Sequence, residues 1–149
     1  MKPLSQTEAK AFIYPAALEH LDGEVIVRFP DFPEALTGAA TETEALAAAA
    51  DALEEAVLAR LANGEEVPRS PASIRTDHVG VMLAPVTAAR ALVDQMRRAN
   101  KLTKVELAAR MGRDEKVVRR VLDGRRGVSM DTVLEALAAL GFETTLAWR

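Results

Sequence analysis

Along this chain of 149 residues the hydrophobic pattern changes once, near Ala84-Pro85. Before that point, apolar alternation and tight-turn signals predict strands and a single helix. After it, only short helical periods remain, opened by capping residues and closed by glycine or by an Asp-Gly pair. Neither one helical bundle nor one sheet accommodates both patterns. The switch predicts an α+β domain over 1–84, an antiparallel sheet with one helix, followed by an all-α domain over 86–149. The length suffices for two small domains.

The first part is read as follows. Ala11 to Glu19 is a strand in which Pro15 favours an edge or a bulge. Asp22-Gly23 marks a hairpin turn into Glu24–Phe29, where Val25, Val27 and Phe29 share one face. Pro30 to Pro33 reads as a loop and Leu36 to Ala39 as a short third strand. Thr41 and Glu44 form a capping box for a helix with Leu46, Leu53, Val57 and Leu61 on one side, stopped by Asn63-Gly64. A loop over 65–76 leads to a last strand, His78 to Leu83. In the second part, helices run from Val86 to Ala99, from the capping box Thr103–Glu106 to Gly112, from Asp114 to Asp123-Gly124, and from Ser129 to Leu140. The tail, Phe142 to Trp148, has strand-like composition and is a candidate dimer interface.

The formal charge of −3 conceals a division. Residues 1–85 carry six basic and 14 acidic side chains, a net of −8; residues 86–149 carry 13 and 8, a net of +5. Between Arg97 and Arg126 there are 11 basic and four acidic residues, a net of +7. Such density suits nucleic acid, where each neutralised phosphate releases counterions. The absence of cysteine excludes disulfides and thiolate chemistry, and His20 and His78 are too few for a histidine-based metal cluster. They are read as structural, with no metal or cofactor. No signal-like N-terminus and no apolar run of about 18 residues occurs. A cytoplasmic protein without membrane contact is expected.

Two short helices joined by a glycine-containing turn make a helix-turn-helix, whose second helix presents its N-terminal end to the major groove. That helix carries Glu115, Lys116, Arg119 and Arg120. Arg113 lies in the turn, Thr103 and Lys104 open the preceding helix, and Arg125 and Arg126 follow. These nine residues are the candidate DNA contacts. Leu102 to Gly112, Asp114 to Gly124 and Ser129 to Gly141 together resemble the Cro/repressor-type (XRE) helix-turn-helix. Lys104 and Glu115 stand where that family often has Gln. Glutamate can only accept hydrogen bonds, for instance from cytosine N4.

The first part has its own resemblance. Val27-Arg28-Phe29-Pro30-Asp31-Phe32-Pro33-Glu34-Ala35-Leu36-Thr37-Gly38, followed by Thr43-Glu44-Ala45-Leu46, is similar to the HicB antitoxins. The resemblance implies a partial RNase H-like N-terminal fold that neutralises a small, basic, mRNA-cleaving HicA toxin. It further implies a C-terminal domain that binds double-stranded operator DNA and represses its own operon. The −8 charge suits a basic partner, although the sequence marks no particular toxin contacts. A homodimer or higher oligomer is expected, since two recognition helices must lie about one helical turn apart to read a palindrome. A stand-alone repressor with an N-terminal ligand- or protein-binding domain is the alternative. A metal-dependent nuclease would need converging carboxylates. Asp22, Asp31, Glu34 and Asp51 are better explained as turn, loop and surface residues, so no enzyme is expected.

Overall fold

The computed structural model describes residues 12–144. In chain order the elements are β1 (Ile13–Leu21), β2 (Glu24–Phe29), β3 (Phe32–Ala39), α1 (Glu42–Ala62), β4 (Val79–Met82), α2 (Pro85–Ala99), α3 (Lys104–Met111), α4 (Glu115–Leu122) and α5 (Met130–Ala139). The chain is thus a mixed α+β protein with one four-stranded antiparallel sheet, ordered β3-β2-β1-β4, and five helices among the described residues.

Two compact units divide it, and the division cuts through α1. Of the described residues, the sheet unit holds 12–57 and Pro68–Ala84, and the helical unit holds Leu58–Val67 and 85–144. In the sheet unit, Tyr14, Ala16, Val25, Val27, Phe29, Phe32 and Val81 are buried, as are Ala45, Ala49, Leu53 and Val57 along one side of α1. Tyr14 and Phe32 meet edge to face at 4.9 Å, and the Tyr14 hydroxyl donates to the Pro68 carbonyl at 2.6 Å. Burying a polar-tipped ring is tolerable only because that hydroxyl is satisfied.

Two strand expectations are corrected. β1 is not an edge strand, since it lies between β2 and β4. Pro15 is accommodated because ladder partners divide along β1: residues 13–16 pair with β4, and pairing with β2 begins at Ala17. The bond from the Leu83 N–H to the Phe12 carbonyl sets the alternation. It leaves Pro15 in a non-hydrogen-bonded pair with Gly80, so the missing N–H is not asked for. The loop expected at Pro30 to Pro33 is shorter than its prolines suggest. Only Pro30 and Asp31 turn, and β3 begins at Phe32, paired with Phe29, with a register shift before Val27 meets Thr37. β3 lies at the sheet edge, where Pro33 is tolerated.

The N-cap predictions hold, but among the described residues the return half of neither capping box forms: the Glu44 carboxylate makes no bond back to Thr41, and the Glu106 carboxylate takes the Thr103 hydroxyl instead. Thr41 accepts from the Glu44 N–H at 3.2 Å. Thr103, Asp114 and Ser129 accept from the N–H groups of Glu106, Lys116 and Thr132. In the helical unit Val93, Leu107, Ala108, Val118, Val121, Leu122, Val133, Ala136 and Leu137 form one apolar cluster. The end of α1 belongs to the same unit. Gln95 donates to the Val67 carbonyl at 3.1 Å, Arg98 donates to the Gly64 carbonyl at 2.8 Å, and Leu61 and Val67 are buried. At Gly124 the chain approaches so closely that an added Cβ would lie 2.0 Å from the Leu58 carbonyl oxygen. In the tail, Phe142 packs against the helical cluster and residues 142–144 form no strand. The rest of the proposed interface, 145–148, lies outside the described residues.

Candidate nucleic-acid interface

The α3–α4 pair is fixed by local chemistry at each joint. Thr103 caps α3, and its hydroxyl also donates to the Glu106 carboxylate at 3.1 Å. Gly112 ends α3 in the left-handed region at φ 64, a conformation that side chains disfavour. Asp114 then opens α4, its carboxylate taking the Lys116 N–H at 2.8 Å. Val118, Val121 and Leu122 point into the core. Lys116, Arg119 and Arg120 are left exposed on the other side.

The far end of α4 is held by Arg90 of α2. Its Nε donates to the Val121 carbonyl at 2.9 Å, and its Nη2 donates to the carbonyls of Arg120 and Asp123. Only 5% of this arginine is exposed. Burial pulls its pKa below the usual arginine value, against the opposing pull of the Asp123 charge. A cation here satisfies carbonyls that a helix C-terminus leaves unpaired and meets the negative end of the helix dipole. Sequence reasoning missed Arg90. The available signal was its place within an apolar stripe, four residues after Val86 and three before Val93.

Of the nine residues expected to face DNA, Lys104, Lys116, Arg119, Arg120 and Arg126 line one concavity of about 350 Å³, with Asp123 and Leu122 beside them. Lys104, Lys116 and Arg120 form no side-chain hydrogen bond or ion pair among the described residues, so their charges are available. The others have prior engagements. Arg113 reaches Glu135 of α5 at 2.9 Å and does not line the concavity. Arg126 contacts Asp123 at 3.4 Å. Arg119 is bound by Glu115 through both Nε, at 2.9 Å, and Nη2, at 2.8 Å. Thr103 is occupied as a cap, and Arg125 lies off the concavity. The +7 stretch is also partly neutralised: buried Asp94, outside it in sequence, binds both Arg97 at 2.9 Å and Arg98 at 2.7 Å.

The sheet unit offers a different surface. Its described residues hold three basic and 11 acidic side chains, a net of −8, against 13 and 10, a net of +3, in the helical unit. Asp22 sits in the β1–β2 turn at φ 50 and Asp31 in the β2–β3 turn. Among the described residues no three histidine or carboxylate side chains are placed to hold a metal. His20 pairs with Glu42 at 3.1 Å and His78 with Asp77 at 2.9 Å. No described helix is long and apolar enough to cross a membrane.

A family model described as HicB-like antitoxin of a bacterial toxin-antitoxin system matches residues 13–92, more than half of the chain. The chain belongs to the HicB-like antitoxin family. Antitoxin HicB 1 of Photorhabdus laumondii subsp. laumondii is 38% identical over 135 residues, covering 90% of this chain and 85% of its own. Antitoxin HicB 2 of the same organism is 34% identical over 133 residues, covering 89% and 94%. Antitoxin HicB of Escherichia coli (strain K12) is 33% identical over 135 residues, covering 89% and 96%. Membership implies a toxin partner for this HicB-like antitoxin. The matched range contains all four strands, α1 and the first half of α2, and stops before α3 and α4.

Proposed function

We propose that this antitoxin neutralises a HicA-type mRNA-cleaving toxin and represses its own operon by binding promoter DNA. The sheet unit, read as a partial RNase H-like fold, is the toxin-facing part. Its net of −8 favours rapid encounter with a basic partner. The α3–turn–α4 pair is the DNA-binding part, read as an XRE/Cro-type helix-turn-helix working in a cytoplasmic homodimer. The observation that carries the DNA reading is the convergence of Lys104, Lys116, Arg119, Arg120 and Arg126 around one concavity. A capped α4 supplies three of them, as groove reading requires. Binding, not catalysis, is the role assigned.

Co-expression with the adjacent toxin frame should yield a co-purifying complex. The purified antitoxin should retard the duplex upstream of its own gene, and the triple substitution of Lys116, Arg119 and Arg120 by alanine should abolish that shift while the toxin complex persists. An unchanged shift in the triple variant would overturn the assignment of α4.

A further inference from the structure

Glu115 is an odd neighbour for a DNA surface. A carboxylate in the first turn of the helix that enters the groove repels phosphates and lowers affinity for all DNA alike. Its geometry supplies a compensating role. Arg119, one turn later, gives both Nε and Nη2 to the same oxygen, Oε1, at 2.9 and 2.8 Å. The Nε edge of the guanidinium is therefore occupied. The edge that remains is Nη1 with Nη2, two parallel donors spaced to meet guanine O6 and N7. The carboxylate keeps Oε2, which has no hydrogen bond among the described residues and can accept from an exposed amine. Lys116 and Arg120, on the same helix, carry no such partner, so their charges stay available for phosphates.

We propose that Glu115 and Arg119 act as one reading unit for neighbouring base pairs, Arg119 taking a guanine and Glu115 positioning it while accepting from the N4 amine of an adjacent cytosine. This rests on the DNA-binding reading above and adds base specificity to it. A pair that served helix stability alone would leave sequence preference untouched when removed, so the two roles separate by experiment.

The test is selection from randomised DNA duplexes by the full-length protein and by its Glu115→Ala, Glu115→Gln and Arg119→Ala variants, with folding checked by circular dichroism. The wild type should enrich a guanine beside a cytosine. Arg119→Ala should lose the guanine. Glu115→Ala should lose the cytosine, reduce discrimination at the guanine about tenfold, and bind unselected DNA more tightly because a negative charge has gone. Glu115→Gln keeps an acceptor for Arg119 but replaces the free oxygen by a donor. It should keep the guanine, lose the cytosine, and decide the matter if the alanine variant does not fold. A wild-type motif that all folded variants share would overturn this inference and leave DNA binding standing. Failure of the wild type to enrich any sequence would overturn both.

Discussion

Arg90 carries a charge into the helical unit and donates its three side-chain hydrogen bonds to carbonyls at the end of α4. Truncation would leave carbonyls of the last turn unpaired and a space where the side chain lay. Arg90→Ala should cost about 3 kcal/mol of stability, read as a lower urea midpoint. Arg90→Met, which restores volume but no donors, should recover only part of it. At the surface, Asp77 receives a two-pronged contact from Arg75 at 2.9 Å and meets His78. The bond from Arg75, then that from His78, lowers the Asp77 pKa from 3.8 to about 2. A carboxylate depressed on folding stabilises the fold above its unfolded value and loses that contribution as pH falls through the folded one. The stability difference between wild type and Asp77→Asn should thus be constant above about pH 5 and vanish between roughly pH 4 and 2. Persistence of the full difference at pH 2 would refute the pairing.

At the scale of elements, α4 is a short helix of eight residues. Isolated helices of that length do not persist in water. It is held instead by the Asp114 cap, by the buried Val118, Val121 and Leu122, and by Arg90 at its end. These contacts fix the backbone from which the exposed side chains project. The pairing pattern divides labour among them. Replacing Lys116 or Arg120 by Ala should lower the slope of log affinity against log salt by about 0.9 each, measured by anisotropy titration. Arg113→Ala should leave the slope unchanged, since Arg113 is bound to Glu135. The N-caps, the helix stops at Gly64 and Gly112, and the hairpin at Asp22-Gly23 were legible in sequence because each depends on residues within one turn of chain. The edge assignment of β1 was not, because the residues that flank Pro15 come from β4, more than 60 positions away.

For the whole molecule, charge is divided between units of −8 and +3 among the described residues. The boundary is not the linear one at Pro85: the end of α1 and residues 63–67 belong with the helices and bring Arg60, Glu65 and Glu66 to them, a net of −1. Opposed fields suit two partners of opposite charge. Raising ionic strength should slow toxin association, by roughly tenfold or more if steering dominates, with the dissociation rate much less affected. Stopped-flow mixing measures both, and a salt-independent association rate would remove electrostatics from the toxin-facing account.

Most helix starts and stops, the helix that bears the basic face, the acidic character of the first half and, through its resemblance, the family were all readable from the order of residues. These follow from capping, periodicity and composition, which act over a few residues or over none in particular. Tertiary structure alone decided which cations stay available. The Arg113–Glu135 contact spans 22 positions and the Arg90–Val121 contact 31, and no local pattern pairs such residues. It also decided that α1 is shared between two units and that five basic side chains from separate segments meet. Coulomb energy depends on distance in space, and only the packed chain sets that distance.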